Sequence, residues 1–323
     1  MPPNGEPGSA FADLDRFVAP NEGRWITEVF VNFAGMRSYR LYIPSAYRGQ
    51  SLPLIVMLHG CRQWPEDFAA GTQMNFVAEK NSCFVAYPGQ PKSANGLRCW
   101  NWFNPRHQHR GRGEPSLIAG LTRRIVNSYA IDPARIYVAG LSAGGAAAAI
   151  MAATYPDLYA AAGIHSGLAR GSARNVPSAY AVMRNGQAEI APEVAAPPIS
   201  LIRQRPVPMI VFHGDRDDTV HPRNSDRVLE QAWPGAGSLL RRKQTRGRVK
   251  GGHGYSRTSY ADERGRSVLE LWEVHDSGHA WSGGHPAGSF TDPKGPDASR
   301  EMMRFFLAHR LEGAVVAEDA AGG

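Results

Sequence analysis

A serine in a glycine-rich turn is the residue best suited to nucleophilic chemistry. The turn reads Gly140-Leu141-Ser142-Ala143-Gly144, and it lies between a short apolar run and a run of mostly alanine residues. A strand that turns into a helix within about two residues strains its serine and raises the hydroxyl above the sheet edge. Glycines flank the serine because side chains there would collide across the turn. The pattern predicts a nucleophilic Ser142; the alternative is a structural serine in a glycine turn.

A serine hydroxyl also needs a base within hydrogen-bond reach and a third group that orients the base. His279 is the candidate base, because it follows the last strand-like run and small residues flank it. Asp217 is the candidate acid, because it lies deepest in the turn after a buried strand, and its neighbour Asp218 is the alternative. The resulting chain order of Ser142, acid and histidine is the order found in α/β-hydrolases.

Negative charge that develops on a substrate oxygen needs two N–H donors. The backbone of Ala143, directly after Ser142, is one candidate. The backbone of Cys61, in the loop after the strand predicted over 54–58, is the other. Such an arrangement carries out acyl transfer with no metal and no cofactor, and we predict neither for this chain.

The elements that must position these residues alternate along the chain. Strands are expected over 24–33, 36–43, 54–58, 83–87, 136–139, 160–165, 207–212, 241–250, 255–260 and 268–275. Helices are expected from Pro65, over 114–129, 143–153 and 224–231, near 178–185, and over 297–310. Alternating strands and helices imply an α/β fold with a mostly parallel sheet and helices on both faces.

The domain organisation predicted from composition is simple. Residues 24–312 are expected to form one α/β-hydrolase catalytic domain. An Ala- and Pro-rich stretch of low periodicity, about 171–206, is expected to be a small cap-like insertion. Residues 1–23 are expected to be a flexible leader and 313–323 a flexible tail.

The net charge of +7 raises the question of a polyanionic partner. The densest basic cluster, between Arg241 and Lys250, lacks the interleaved aromatic residues of a nucleic-acid platform, so a solvated strand face is favoured. No apolar run approaches the roughly 18 residues of a membrane span. The N-terminus lacks the basic and apolar regions of a signal peptide. Secretion with a signal absent from this sequence and a cytoplasmic location both stay open.

The cysteines and the paired histidines are residue types that can bind a metal. Cys61, Cys83 and Cys99 show no C-x-x-C spacing, and His107 and His109 have no carboxylates at ligand spacing, so a metal site is not favoured. A disulfide between Cys61 and Cys99 would hold a long loop over the catalytic mouth. The alternative is three reduced cysteines in a cytosolic protein. Cys83 lies inside an apolar strand and is expected to be a free buried thiol.

Five blocks of this sequence together resemble the polyhydroxybutyrate depolymerase-like esterases. The blocks are His59-Gly60-Cys61-x-Gln63, Arg98-Cys99-Trp100-Asn101-Trp102-Phe103, Gly140-Leu141-Ser142-Ala143-Gly144-Gly145, His213-Gly214-x-x-Asp217-x-x-Val220 and Gly278-His279-Ala280-Trp281. The resemblance implies hydrolysis of carboxylic esters by a serine, and it places the family's triad on Ser142, Asp217 and His279. The family is related to feruloyl and acetylxylan esterases, which are the alternative activities.

Four aromatic residues are predicted to flank the catalytic mouth and bind substrate: Trp100, Trp102, Phe103 and Trp281. At least one of them is expected to pack in the core instead. The resemblance implies polyhydroxyalkanoate-type polyesters or oligomers and short-chain acyl esters as substrates. The chain has no room for the separate binding module that polymer degraders of this kind often carry, which favours oligomers, amorphous polymer or short esters. A peptidase or thioesterase with the same triad, and a non-catalytic binding protein of this fold, are further alternatives.

Overall fold

One ten-stranded sheet runs through the residues that the computed structural model describes, 16–20, 22–186 and 206–312. Its strands are β1 (Arg24–Asn32), β2 (Gly35–Ile43), β3 (Leu52–Leu58), β4 (Phe84–Pro88), β5 (Ile131–Leu141), β6 (Ala161–His165), β7 (Met209–Gly214), β8 (Arg241–Arg248), β9 (Gly254–Ala261) and β10 (Ser267–Val274). Their spatial order is β1-β2-β4-β3-β5-β6-β7-β10-β9-β8. The strands from β4 to β10 in this order run parallel, and antiparallel strands form both edges. The predicted mostly parallel sheet is confirmed.

Helices cover both faces of this sheet, which is why its central strands are continuous apolar runs. The helices are α1 (Pro65–Thr72), α2 (Met74–Lys80), α3 (Gly113–Ser128), α4 (Ala143–Thr154), α5 (Val176–Asn185), α6 (Arg223–Ala232), α7 (Ala236–Leu239) and α8 (Ala298–Leu307). Ile118 of α3 and Ala146 of α4 pack in the core on one face, whereas Phe68 of α1 and Phe305 of α8 pack on the other. Within the described ranges, no helix is both long enough and apolar enough to cross a bilayer.

The parallel strands bring four distant segments to one edge of the sheet. The carboxyl end of β3 leads to His59, and that of β5 leads to Ser142. The loop after β7 contains Asp217, and the loop after β10 contains His279. Ligands of open α/β folds bind at this edge, because the loops that follow parallel strands meet there.

A few elements differ from the prediction for local physical reasons. The helix predicted from Pro65 is two helices, because Gln73 adopts a left-handed φ of 54° between α1 and α2. Strand β5 begins at Ile131, well before its predicted start, because Ile131 pairs with Leu52 of β3 ahead of a register shift. The pairing of β11 (Trp281–Ser282) with β12 (Thr291–Asp292) was not predicted, since two-residue strands carry no periodicity.

The predicted cap-like insertion, 171–206, is described only in part. Its predicted helix is present as α5, and it begins earlier than expected because Asn175 and Ser178 form a capping box. The rest of the insertion, 187–205, lies outside the described residues. So do residues 1–15 and 21 of the predicted leader and all of the predicted tail, 313–323.

Candidate active site

Ser142 occupies the corner between β5 and α4 in a strained conformation. Its φ is 58° and its ψ is −120°, a region that residues other than glycine rarely adopt. A Cβ on Gly144 would lie 1.9 Å from the carbonyl oxygen of Leu58, and a Cβ on Gly140 would lie 2.3 Å from that of Gly144. The flanking glycines are therefore required by direct backbone contact. The backbone N–H of Ser142 donates to the carbonyl of His165 at 2.9 Å, which holds the corner against β6.

Asp217 and His279 form a close hydrogen-bonded pair at the same sheet edge. Oδ2 of Asp217 lies 2.7 Å from Nδ1 of His279. Oδ1 accepts the backbone N–H groups of Thr219 at 3.0 Å and Val220 at 2.8 Å. Because the carboxylate only accepts hydrogen bonds, it holds the Nδ1–H tautomer of His279 and leaves Nε2 as the basic nitrogen.

Asp217 is held ionised in spite of its burial. Burial opposes the charge, but hydrogen bonds from His213 and His279 outweigh it and hold the pKa of Asp217 well below its usual range. His213 is itself buried, with Nδ1 2.6 Å from Ser225 Oγ and Nε2 3.3 Å from Asp217 Oδ2. His213, at the end of β7, is therefore a structural partner of the acid.

The other carboxylates of the same loop have different neighbours. Oδ2 of Asp215 lies 3.0 Å from Nδ1 of His275, and its Oδ1 accepts the backbone N–H of Asp276 at 2.8 Å. Asp218, the alternative acid, lines the cavity that contains Ser142. Of these three carboxylates, Asp217 is the one that contacts His279.

The loop that carries His279 is anchored on both sides. The backbone N–H of Arg216 donates to the carbonyl of Ser277 at 3.0 Å, which joins the loop after β7 to the loop after β10. The hydroxyl of Ser277 donates to Asp292 Oδ2 at 2.8 Å, and the same oxygen lies 3.0 Å from His253 Nε2. These contacts limit the positions that the imidazole can adopt.

Ser142 and His279 line one cavity of about 670 Å³. In the described residues, Ser142 Oγ makes no hydrogen bond to the His279 ring. Hydrogen bonds between a nucleophile and its base are often long before substrate binds and shorten in the complex, so shared lining of one cavity is compatible with the proposed roles.

The two predicted oxyanion donors lie beside Ser142. Ala143 is the first residue of α4, where backbone N–H groups lack partners within the helix. Cys61 follows Gly60, on which a Cβ would lie 3.5 Å from Ser142 Cβ. Within the described parts of the chain, neither the N–H of Ala143 nor that of Cys61 donates to a protein acceptor. Both residues line the cavity, so both N–H groups are available to a substrate oxygen.

His59 supports this loop as a neutral residue. Its Nε2 accepts the backbone N–H of Gln90 at 3.0 Å, and its Nδ1 therefore donates to the carbonyl of Gly60 at 2.7 Å. Burial lowers the pKa of His59 to about 4, which keeps the ring uncharged at neutral pH. A neutral ring can donate at one nitrogen and accept at the other, as this position requires.

Cys61 and Cys99 form a disulfide, which is one of the two alternatives that the sequence left open, and Cys83 is the expected free buried thiol. The backbone N–H of Arg62 also donates to the carbonyl of Leu97 at 2.7 Å. The loop after β3 that carries Gly60 and Cys61, called the oxyanion loop below, is thus joined to the long loop after β4 by a covalent bond and a hydrogen bond. Cys61, whose backbone N–H is a predicted oxyanion donor, is therefore covalently linked to the long loop.

The long loop after β4 is held by a buried carboxylate that sequence reasoning missed. Glu114 Oε2 accepts the backbone N–H of Asn101 at 2.8 Å, and its Oε1 accepts Asn101 Nδ2 at 2.7 Å and Gln90 Nε2 at 2.5 Å. His107, from the H-x-H pair, accepts the backbone N–H of Glu114 at Nδ1. In the described residues, no three His, Cys, Asp or Glu side chains are grouped as metal ligands would be.

Two of the four predicted substrate-binding aromatics line the cavity. Trp102 and Phe103 form part of one wall, with their ring centroids 5.9 Å apart. Trp100 and Trp281 do not line it, and the expectation that they flank the substrate is wrong. Trp100 is buried near the His59 ring, and Trp281 is buried against Phe68. Both side chains are large and apolar, and other parts of the fold cover them completely enough that a substrate does not reach them.

Helix α5 forms another part of the cavity wall, and no prediction from the sequence placed it there. Val176, Ala179, Tyr180 and Met183 line the cavity, and their spacing of i, i+3, i+4 and i+7 is that of one helix face. Val176 and Tyr180 are about half exposed. The apolar stripe was visible in the sequence, but stripes of this kind usually face a core.

A sequence model of the family described as Esterase PHB depolymerase matches residues 37–243. Among characterised proteins, the chain is 31% identical over 247 residues to poly(3-hydroxyalkanoate) depolymerase C of Paucimonas lemoignei. That match covers 74% of this chain and 57% of the depolymerase, so the chain spans little more than half of that relative. Feruloyl esterase B of Thermothelomyces thermophilus is 30% identical over 216 residues, with 64% of this chain and 72% of the esterase covered.

Among solved structures, an acetyl xylan esterase from Aspergillus awamori superposes with a TM-score of 0.68 at 20% identity. The superposition covers 88% of this chain and 99% of that esterase. This likeness concerns the fold, and it confirms the predicted α/β-hydrolase architecture.

Proposed function

The chain belongs to the Esterase PHB depolymerase family, and from that membership we propose that it is a serine carboxylic-ester hydrolase. We assign the nucleophile to Ser142, the base to His279 and the orienting acid to Asp217. The observation that supports this assignment best is the 2.7 Å pair between Asp217 Oδ2 and His279 Nδ1 beside the strained Ser142. We place the chemistry in one catalytic domain, 24–312.

The proposed first step forms an acyl-enzyme. Nε2 of His279 takes the proton of the Ser142 hydroxyl as Oγ bonds to the ester carbonyl carbon. The carbonyl oxygen becomes an oxyanion, which accepts hydrogen bonds from the backbone N–H groups of Cys61 and Ala143. Asp217 stays ionised and stabilises the imidazolium, which keeps its proton at Nδ1.

The intermediate then collapses and water releases the product. The C–O bond to the alcohol breaks, and His279 gives its proton to the leaving oxygen. Water attacks the acyl-enzyme while His279 takes a proton from it, and a second oxyanion forms in the same place. Collapse of that intermediate frees the carboxylic acid and returns the proton to Ser142 Oγ.

We propose polyhydroxyalkanoate-type oligomers and short-chain acyl esters as substrates. The cavity walls are mostly apolar, and an aliphatic ester offers little besides its carbonyls for hydrogen bonding. Recognition of such a chain rests on buried apolar area, at about 25 cal/mol per Å². The same walls could stack a ferulate ring, and the feruloyl esterase relative makes this the second candidate.

The substrate proposal is tested by comparing kcat/KM for four esters. These are 3-hydroxybutyrate oligomers, p-nitrophenyl butyrate, methyl ferulate and acetylated xylan. A preference for methyl ferulate or acetylated xylan would replace the polyester assignment and leave the triad assignment intact.

The enzyme assignment is tested by a fluorophosphonate probe, which reacts with activated serines. The native protein should be labelled at Ser142, and Ser142→Ala should be neither labelled nor active. A native protein that resists labelling would favour a non-catalytic binding protein of the same fold. Equal labelling of Ser142→Ala would place the nucleophile elsewhere.

We also infer that the protein works in an oxidising compartment. The Cys61–Cys99 disulfide lies beside the proposed oxyanion site, and such bonds persist where thiols are not kept reduced. This favours export over a cytoplasmic location. Fractionation of the source cells, with the disulfide state read by mass spectrometry, tests the inference.

A further inference from the structure

Gln63 is a buried side chain directly beside the proposed oxyanion loop. It is 1% exposed, and its Oε1 accepts the backbone N–H of Gly60 at 2.9 Å. Gly60 is the residue before Cys61, and a Cβ on it would also lie 3.1 Å from Gln63 Oε1. The amide therefore holds the backbone immediately before the Cys61 N–H.

The other end of the Gln63 amide is fixed by a second loop. Its Nε2 donates to the carbonyl of Ser289 at 3.0 Å and lies 3.3 Å from Ser289 Oγ. Ser289 is held in turn by Asp67, whose Oδ1 accepts the backbone N–H at 2.9 Å and whose Oδ2 accepts the hydroxyl at 2.6 Å. The amide oxygen faces an N–H donor and the amide NH2 group faces a carbonyl acceptor. A flipped amide would lose both hydrogen bonds, so a single orientation is favoured.

We propose that Gln63 is a positioning residue for catalysis, which orients the Cys61 N–H toward the oxyanion. The Asp67–Ser289 pair serves this role by fixing the Gln63 amide. The proposal rests on the proposed esterase function and adds a residue outside the triad and the two oxyanion donors. Loss of one oxyanion donor costs about 10²–10³ in kcat, so a displaced donor should cost a measurable part of that.

A second buried glutamine in this chain provides a matched control. Gln108 is also 1% exposed and makes a comparable set of hydrogen bonds. Its Nε2 donates to the carbonyls of Trp102 at 2.7 Å and Ala173 at 3.2 Å, and its Oε1 accepts the N–H of Gly171 at 2.6 Å. These contacts connect Trp102 of the cavity wall to the segment before α5, and they do not involve the oxyanion loop. Gln108 should therefore affect substrate binding, whereas Gln63 should affect the chemical step.

The experiment compares Gln63→Ala, Gln63→Met and Gln108→Ala with the native enzyme on p-nitrophenyl butyrate. Activities are normalised to active sites titrated with a fluorophosphonate, at a temperature where circular dichroism shows every protein folded. Both Gln63 variants should lose about 10- to 100-fold in kcat with KM within about threefold. Gln108→Ala should raise KM with kcat within about threefold. Gln63→Met fills the same space, so a kcat near native in that variant would mean that packing matters and would overturn the proposal.

A boronic acid provides a readout that a purely structural role would not change. The serine oxygen bonds to boron, its proton passes to the histidine, and the anionic tetrahedral adduct places an oxygen at the oxyanion site. The Ki of butylboronic acid should rise in Gln63→Ala in proportion to the loss of kcat, whereas in Gln108→Ala it should rise by no more than KM does. Parallel losses in kcat, KM and Ki for both glutamine variants would show a general structural defect and overturn the proposal.

Ser289→Ala tests the same network if the Gln63 variants fail to fold. It removes only the hydroxyl and keeps both backbone contacts, so kcat should fall by about two- to tenfold with KM unchanged. A kcat equal to the native value would contradict the proposed role of the pair. Failure of the esterase proposal itself is recognised separately, because the native protein would then be inactive and unlabelled, or Ser142→Ala would retain activity.

Discussion

Asp217 Oδ2 lies 2.7 Å from His279 Nδ1, although 62 residues separate the two in the sequence. They meet because β7 and β10 are parallel neighbours, so the loops that follow these strands emerge side by side. A Cβ on Gly214 would lie 2.2 Å from the carbonyl oxygen of Ser277, which shows how closely the two loops pack. The pairing of strands thus brings the proposed acid to the proposed base.

Asp217→Asn should lower kcat by several orders of magnitude. The amide that replaces the carboxylate has one oxygen and one NH2 group. If its NH2 group faces His279, the unproductive histidine tautomer is favoured; if its oxygen faces His279, the backbone N–H groups of Thr219 and Val220 lose their acceptor. Asp218→Asn is the control, because it keeps these contacts and should retain most of kcat. Steady-state kinetics of the two variants check the assignment. A crippled Asp218→Asn beside a nearly native Asp217→Asn would reverse it.

The disulfide should protect two cysteines from alkylation and stabilise the fold. Iodoacetamide should label no cysteine in the native protein, only Cys83 after unfolding without reductant, and all three after reduction. Cys61 and Cys99 are 38 residues apart, for which the chain-entropy model gives about 4 kcal/mol. Cys99→Ser should therefore lower Tm, and kcat should fall because Cys61 becomes free to move. Labelling of Cys61 and Cys99 in unreduced protein would contradict this prediction.

Tyr180→Ala should weaken substrate binding with little effect on stability. Tyr180 is 56% exposed and lines the cavity, so a substrate contact of roughly 60 Å² would contribute about 1.5 kcal/mol, or about tenfold in KM. Trp281→Ala is the contrasting variant, because Trp281 is buried and its removal should cost about 3–5 kcal/mol of stability. Urea unfolding and KM for a 3-hydroxybutyrate trimer separate the two effects. A native KM in Tyr180→Ala would exclude α5 from the binding wall.

Two buried histidines should make the fold sensitive to mild acid. Burial lowers the pKa of His59 to about 4 and that of His165 to about 3. A histidine in the unfolded chain has a pKa of about 6.5, so below that pH the unfolded chain binds protons that the folded protein excludes. The free energy of unfolding should therefore fall with pH, by up to about 1.4 kcal/mol per pH unit for each histidine, until their folded pKa values are reached.

Urea unfolding at pH 7 and pH 5 measures this effect. The expected loss at pH 5 is about 2 kcal/mol for each histidine. His165→Gln should show a smaller difference between the two pH values than the native protein, whatever its absolute stability. Equal unfolding midpoints at pH 7 and pH 5 in the native protein would contradict the prediction.

Local sequence patterns determined the fold class and the candidate triad. The five-residue pattern around Ser142 suffices to predict the turn, although the carbonyl that Gly144 approaches belongs to Leu58 of a neighbouring strand. The continuous apolar run of β3 and the position of Asp217 after β7 are also properties of short segments. Alternation of strands and helices restricts the architecture, because parallel strands need crossover connections. The choice of Asp217 over Asp218 already required an argument about depth in the turn.

Only the tertiary structure decided which side chains face the cavity and which support it. Trp281 follows His279 closely in the sequence but packs against Phe68, whereas Tyr180 lies in a distant helix and lines the cavity. Gln63 finds its partner Ser289 across 226 residues. Burial and hydrogen bonding depend on which elements pack together, and a single residue's type and neighbours do not encode that packing. Contacts between distant segments therefore had to be read from the folded chain.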